Sequence, residues 1–382
     1  MKEVLLVTIG FSPNIGGIET HFDDLISALD KRGWKTWVLT YKPITTKVKA
    51  NFIEKRGKNN VIYRIPWIGG VFYNLVQNPL LEFLYLTPGL LFALPVFLLI
   101  KGKNLKVIHS HGLVSGFVSV IWGRIFNKKV LTTTHSIYHF PKVGLYRNFA
   151  KWIFNNSDEI LTLSSQSKKE VEDLGIESEK VRIFTYWIDL KKFRHTGSKE
   201  KSRSIIGLKN EFTVLFVGRL VKEKGVLVLL DAVSRWNTKI CLVIAGTGPL
   251  EKEIKNQKSK IKNLIFLGRI DNDKLPLYYS AADVVIVPSI HEEGFGRVIL
   301  ESLACGIPVI GSRRGAIPEA MDTSVGKFID VSPQNIKESV EYFYKNPNEL
   351  FKLSKNARRF AEMHYSEENI QVIIDSYLSK QY

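Results

Sequence analysis

Val287-Pro-Ser-Ile-His-Glu-Glu293-Gly-Phe-Gly296-Arg-Val-Ile-Leu-Glu301-Ser-Leu-Ala-Cys-Gly306-Ile-Pro308 is the stretch on which the reading of this chain turns. An apolar strand ends at Pro288, Glu293 falls in the loop, and Gly294-Phe-Gly296 leads into a helix. Glu301 then follows Glu293 by about two helical turns. One carboxylate sits in a loop at a strand end and the other reaches up from the helix behind it. Each can accept a pair of hydroxyls, such as a sugar or ribose ring presents. The backbone N–H groups at Gly296, Arg297 and Val298 open the helix and suit phosphate oxygens. A capped helix with two solvated acids is the competing reading, and the rest of the chain speaks against it.

Working outward, short and almost fully apolar strands alternate with helices. In the first half the strands are Val4–Ile9, Thr36–Thr40, Val61–Ile65, Val107–Ser110, Val130–Thr134, Ile160–Ser164 and Val181–Phe184, with helices such as Glu19–Lys31 and Val114–Phe126 between them. The run from Lys191 to Asn210 is polar and reads as a linker. The alternation then resumes with Thr213–Val217, Ile240–Ala245, Leu264–Leu267, Val284–Val287, Val309–Ile310 and Lys327–Ile329. Such a rhythm means parallel sheets covered on both faces. The expectation is an α/β protein of two Rossmann-like domains, 1–190 and 191–364, with 365–382 as a closing helical segment. In such sheets ligands bind beyond the carboxyl ends of the strands, so motifs just after strands carry the weight.

After the first strand comes Pro13-Asn-Ile-Gly16-Gly17, whose backbone can approach a ligand closely; a plain tight turn explains it equally well. His109-Ser-His111-Gly112 and Thr134-His135-Ser136 end two further strands. No carboxylate or cysteine at ligand spacing accompanies them, so hydrogen bonding to a sugar or acceptor is favoured over metal binding, with packed structural histidines as the alternative. In the second half, Arg219 stands at a strand end and Lys224 just before a helix. Together they suit a diphosphate. Ala245-Gly246-Thr-Gly248-Pro249 gives another wall. Neither glycine loop is a G-x-G-x-x-G fingerprint, which argues against a nicotinamide role. Asp271-Asn-Asp273 reads as a helix N-cap at Asp271 or Asp273 rather than a metal-binding pair. Arg313-Arg314 reads as solvent-facing.

The 382 residues carry a formal net charge of +17. The excess is gathered in the first half, where only Glu54 and Glu82 are acidic between Lys31 and Lys151. Such a field attracts phosphates on lipids, nucleic acid or small molecules. Cys241 and Cys305 lie in apolar runs and read as buried, reduced thiols. The start, MKEVLLVTIG, reads as a strand rather than a signal peptide, which points to a cytoplasmic protein. From Phe83 to Ile100 there is no charge, but Pro88, Gly89 and Pro95 interrupt the run. Two short buried or interfacial helices are expected in place of a span.

The motifs together resemble the retaining glycosyltransferases of the GT-B fold, family 4 type (glycosyl transferases group 1). The matching pieces run from Pro13-x-x-Gly-Gly-Ile-Glu19 through Thr134-His135, Val217-Gly-Arg-Leu and Glu223-Lys-Gly225 to Glu293-x7-Glu301 and Ala304-Cys-Gly-Ile-Pro308. The resemblance implies a nucleotide-sugar donor and a hydroxyl acceptor, with two domains facing a cleft. By the same resemblance Gly16 and Gly17 lie beside donor phosphate or acceptor, and His135 contacts the transferred sugar. Arg219 and Lys224 hold the diphosphate, Glu293 the sugar hydroxyls and Glu301 the ribose. Gly268-Arg269-Ile270 meets the base, and Phe295, Gly296, Arg297 and Val298 line the donor site. The last helix, after Tyr365-Ser366, crosses back to the first domain. Relatives often carry Asn-Gly-Val-Asp where this chain has Tyr186-Trp187-Ile188-Asp189, and a tryptophan disfavours the positive φ a glycine allows.

These readings give a metal-free and cofactor-free retaining hexosyltransferase. A lipid or lipid-linked acceptor and a peripheral place on the inner face of an anionic membrane are both compatible with the basic first half. A nucleotide-sugar 2-epimerase of the same architecture is the second enzyme class. A nucleic-acid-binding protein is the third reading, and it lacks any recognised motif.

Overall fold

Four consecutive side chains, Val4 to Val7, are completely buried, as a strand covered on both faces requires. They belong to β1 (Glu3–Thr8) in the computed structural model, which describes residues 1–14, 16–44, 46, 48–68 and 79–379. The chain forms two units. The first is Met1–Tyr186 with Glu368–Tyr382, and the second is Trp187–Glu367.

The first unit is built on β1, β2 (Lys35–Tyr41), β3 (Ile53–Arg56), β4 (Asn60–Ile65), β5 (Val107–His111), β6 (Lys129–Thr133), β7 (Glu159–Thr162) and β8 (Val181–Ile183). Their order is β3-β4-β2-β1-β5-β6-β7-β8. All neighbours are parallel except β3, which pairs antiparallel with β4 at the edge. The sequence reading missed β3. Its Ile53-Glu-Lys-Arg56 carries charges in an exposed position, as edge strands do, and so shows no apolar run. Order reverses between β1 and β5, which makes their carboxyl ends the switch point of this sheet.

One expectation about this unit is corrected. The run around Phe83–Ile100 is a single helix, Pro79–Lys101, with Pro88 and Pro95 inside it. Neighbouring side chains satisfy what would otherwise break it. Pro95 has no N–H to offer the Leu91 carbonyl, and the Trp122 indole donates there instead at 2.9 Å. The Tyr41 hydroxyl enters the helix ladder, donating to the Leu86 carbonyl and receiving the Leu90 N–H at 2.9 Å. Gly89 leaves the room: a Cβ there would fall 2.5 Å from that hydroxyl. The last helix, Ile370–Leu378, belongs to this unit. Tyr377 Oη lies 2.7 Å from His109 Nδ1, and Lys129 Nζ donates to the Ser376 carbonyl at 2.7 Å.

The second unit holds β9 (Phe212–Val217), β10 (Ile240–Ala245), β11 (Leu264–Gly268), β12 (Val284–Val287), β13 (Val309–Ser312) and β14 (Gly326–Ile329), all parallel. The order is β11-β10-β9-β12-β13-β14, so its switch point lies between β9 and β12. The segment 191–210, expected as a linker, is packed into this unit. It carries the helix Lys199–Ile205, capped by Ser198. Its Arg203 is buried, donating to Asp283 and, at 3.0 Å, to the Ala281 carbonyl. The polar composition that suggested a linker comes from the exposed residues around one buried arginine. The break between units falls earlier, at Tyr186/Trp187.

Candidate active site

The loops after β9, β12 and β13 meet at the switch point of the second sheet through backbone contact that glycine alone permits. Gly225 has φ +70, and a Cβ on it would sit 1.9 Å from the Pro288 carbonyl oxygen. Gly315 has φ +57, and its Cβ would sit 2.3 Å from the Glu293 carbonyl oxygen. Backbone bonds tie the same loop on both sides: Ile290 N–H to the Glu223 carbonyl and Ala316 N–H to the Glu293 carbonyl, each 2.9 Å. The Glu293 loop is thus held from two directions.

This placement brings Lys224 Nζ to 2.5 Å from Glu293 Oε1, and Ser289 Oγ donates to the same oxygen. Glu301 lies deeper. Its Oε2 accepts from the Tyr279 hydroxyl at 2.8 Å and its Oε1 is 3.4 Å from Arg297 Nε, one turn back on the helix Arg297–Ala304. Both charged side chains are nearly buried, at 5% and 7% exposure. Burial, and then the Glu301 charge, push the Tyr279 hydroxyl well above its ordinary pKa. Gly296 caps that helix in the left-handed region at φ +68.

Arg219 is exposed just past the end of β9, and its side chain has no hydrogen bond or ion pair to another described residue. Gly268 ends β11 and Arg269 and Ile270 follow it, further along the same sheet edge, where the Gly268 carbonyl accepts the Gly246 N–H at 2.7 Å. Arg269 is exposed and stands 3.9 Å from Asp271. Phe295 is only 5% exposed and packs edge-on against Tyr365. Its ring is core, so it can meet a ligand only through its backbone. Val298 is half-buried in the first helical turn. Neither Asp271 nor Asp273 caps the Leu275–Ala281 helix with its side chain; Asp273 pairs with Lys192 at 2.7 Å instead. Arg313 and Arg314 are exposed.

In the first unit the switch point carries a packed imidazole cluster. His135 is buried, its Nδ1 2.7 Å from the Tyr186 hydroxyl and its Nε2 2.9 Å from His111 Nδ1. His109 bridges Tyr377 and Thr133 Oγ1, the latter at 2.6 Å. The His21 ring lies 4.4 Å from the Tyr186 ring, tilted by 32°. Burial drives the pKa of His109 and of His135 down to about 3 and that of His111 well below its usual value. Both His135 nitrogens are therefore engaged within the unit. Gly16 and Gly17 open the helix Gly17–Lys31, and a Cβ on Gly16 would lie 2.4 Å from the Glu19 carboxylate. A carboxylate so close to this helix end suits a hydroxyl ligand better than a phosphate. Trp187, in place of the expected glycine, is buried and is not among the residues with positive φ. Cys241 and Cys305 are free and buried, their thiols pushed up by burial. No cluster of three or more metal-ligating side chains occurs among the described residues.

Ser289, Tyr279, Tyr186 and Tyr377 are the partners that sequence reading did not find. Ser289 sits in the quoted loop and Tyr186 at the quoted departure from the relatives' pattern. The two other tyrosines carry no local signal.

Two doubly wound sheets, each with its glycine-bearing loops at the carboxyl ends, are the architecture of the GT-B fold. Residues 15–192 match Glycosyltransferase Family 4 and residues 198–360 match Glycosyl transferases group 1; the chain belongs to the family 4 glycosyltransferases. An uncharacterized glycosyltransferase of Methanocaldococcus jannaschii is 28% identical over 96% of this chain and 95% of its own length. The alpha-monoglucosyldiacylglycerol synthase of Streptococcus pneumoniae is 28% identical, over 80% of this chain and 70% of its own. Among solved structures, Anabaena HepE in complex with UDP-glucose superposes with a TM-score of 0.75 at 19% identity, covering 99% of both chains.

Proposed function

We propose that this protein transfers a hexose from a nucleoside diphosphate sugar to a hydroxyl with retention at the anomeric carbon, and that the acceptor is a lipid. The contact between Lys224 and Glu293 carries the reading. It places a cation and a hydrogen-bond acceptor side by side where loops from β9 and β12 meet. In the absence of donor each neutralises the other. A nucleotide sugar replaces the pair with better partners: its diphosphate takes Lys224, and its sugar hydroxyls take Glu293. Arg219, unengaged at the strand end, adds a second cation for the departing diphosphate. The N–H groups of the Arg297–Ala304 helix add partial positive charge. Stabilising charge that develops on a leaving group is usually the largest single contribution to such catalysis. UDP-glucose in the complex of the structural relative and a monoglucosyldiacylglycerol product in the curated relative's name favour a UDP-hexose and a lipid hydroxyl.

The test incubates the protein with UDP-, GDP- and ADP-hexoses, with and without detergent-dispersed diacylglycerol or phosphatidylinositol. The expected result is nucleoside diphosphate release that depends on lipid, with sugar recovered in the organic phase. Release of a free epimer without acceptor would identify an epimerase instead.

A further inference from the structure

The helix Pro79–Lys101 has two apolar faces, of which the fold covers one. Leu86, Leu90, Leu94 and Leu98 are at most 3% exposed and form part of the first unit's core. On the opposite side Leu81, Leu84, Phe92, Val96, Leu99 and Ile100 are between 51% and 75% exposed. They recur at three- and four-residue intervals, with Pro88 also exposed between them, so they form one stripe. From Leu81 to Ile100 it spans twenty residues, which at helical rise give a length of about 28 Å. A surface helix of a soluble domain carries charge on this side. A continuous exposed apolar strip marks an interaction surface.

The length and composition of this helix would also suit a membrane span, but its tethers exclude that. The Tyr41 hydroxyl and the Trp122 indole are bonded to its backbone, and its other face completes the core. The helix is thus fixed to the unit by one face and leaves its outer stripe exposed.

The rim of the stripe is basic. Lys101 ends the helix, Lys103 and Lys106 follow it, and all three are exposed. Lys128 Nζ donates to the Gly102 carbonyl at 2.9 Å. This bond sets the turn after the Leu113–Ile125 helix, with exposed Arg124 and Ile125, beside the same end. A second copy of the chain laid on this face would bring these cations against their own counterparts. Anionic lipid headgroups pair with them, each lysine adding about 1 kcal/mol of attraction in general, while acyl chains cover the stripe. We propose that the outer face of the Pro79–Lys101 helix docks the first unit on an anionic membrane, the stripe at the headgroup–acyl boundary and the Lys101–Lys106 end on the phosphates. Docking so placed would bring a lipid hydroxyl to the enzyme, yet it does not depend on the transferase reading.

Flotation of the full chain tests it, with vesicles of phosphatidylcholine alone and of phosphatidylcholine with phosphatidylglycerol, no donor being added. Flotation with the anionic vesicles, weakening as salt rises, is the expected result. The double variant F92S/L99S and the triple variant K101Q/K103Q/K106Q each bind at least roughly tenfold less, in line with the loss of buried apolar area or of charge. Both keep the parent melting temperature, because the altered side chains are exposed. A dye on Leu99→Cys, the two native cysteines being buried, shifts to the blue on anionic vesicles. Failure of the parent chain to float at low salt would overturn the proposal, as would unchanged binding by F92S/L99S. So would a dimer in lipid-free solution that F92S/L99S dissociates and that does not float. Because no sugar is present, any of these leaves the transferase reading standing. Conversely, vesicle binding by an inactive chain leaves the docking surface standing.

Discussion

Lys224 Nζ and Glu293 Oε1 are joined at 2.5 Å across two loops that the sequence separates by most of a sheet. The lysine side chain is 29% exposed and the glutamate 12%. A pair this open to solvent contributes little to stability, about 1 kcal/mol or less. Under the proposed function its value lies in the donor complex. Lys224→Ala and Glu293→Gln are each expected to lower kcat/KM about a hundredfold or more while the urea midpoint barely moves. Steady-state transfer and urea titration check this together. Unchanged turnover in both variants would reduce the pair to a loop clasp.

Arg219 tests the same charge logic from a residue with no structural duty. Exposed, and without a partner among the described residues, it should be replaceable without loss of stability. Arg219→Ala is expected to slow transfer by about tenfold to a hundredfold. Arg219→Lys should recover only part, because the planar fork that grips a diphosphate is lost. A rate for Arg219→Ala equal to the parent's removes this residue from the site.

Glu301 behaves differently because it is buried with Arg297. Removing one member of a buried ion pair leaves an uncompensated charge, at a typical cost of 3–5 kcal/mol. Glu301→Ala should therefore destabilise the second unit by roughly that amount. The double replacement Arg297→Met with Glu301→Leu should regain most of it. Urea unfolding of the three variants decides the point. The activity of Glu301→Ala is interpretable only beside its unfolding curve.

Most strands were legible because parallel strands covered on both faces are short apolar runs, and Val214 or Ile244 sits where that rule puts it. What the rule misses is whatever a distant side chain decides. Ile53–Arg56 pairs at an edge and shows no apolar run. Pro88 and Pro95 spell a broken helix, yet the Trp122 indole takes the carbonyl that Pro95 leaves and the Tyr41 hydroxyl bridges Leu86 and Leu90 beside Pro88. The polar segment near Arg203 becomes part of a core through Asp283, far along the chain. The site divides the same way. Glu293 and Lys224 were readable from their places after strands. Their contact was not, because it rests on Gly225 and Gly315 letting backbones touch.

The Tyr41 hydroxyl offers a direct probe of the proline-bearing helix. It bridges Leu86 and Leu90 in a buried place. Tyr41→Phe withdraws both bonds from a site that water cannot readily refill. The expected loss is about 1–3 kcal/mol, read as a lower urea midpoint with an unchanged slope. A neutral effect would mean that Leu90 closes directly onto Leu86 once the hydroxyl is gone.

The imidazole cluster makes the first unit sensitive to acid, and the sign follows from the direction of its shifts. His109 and His135 have folded-state pKa values near about 3, and His111 lies well below its ordinary value, all chiefly through burial. An unfolded histidine titrates near about 6.5. Between these limits the unfolded chain binds protons that the folded one refuses, so stability falls as pH falls. The full stability is present above about pH 6.5. Each buried ring then contributes a loss of about 1.4 kcal/mol per pH unit on acidification. Urea unfolding followed between neutral pH and about pH 5 should show this steep slope. In His111→Asn the slope should be shallower by about one histidine's share. Tyr377 bonds to His109, so the C-terminal helix should loosen along with the cluster, and its amides should lose hydrogen-exchange protection over the same interval. A slope that His111→Asn leaves unchanged would assign the acid sensitivity to carboxylates instead.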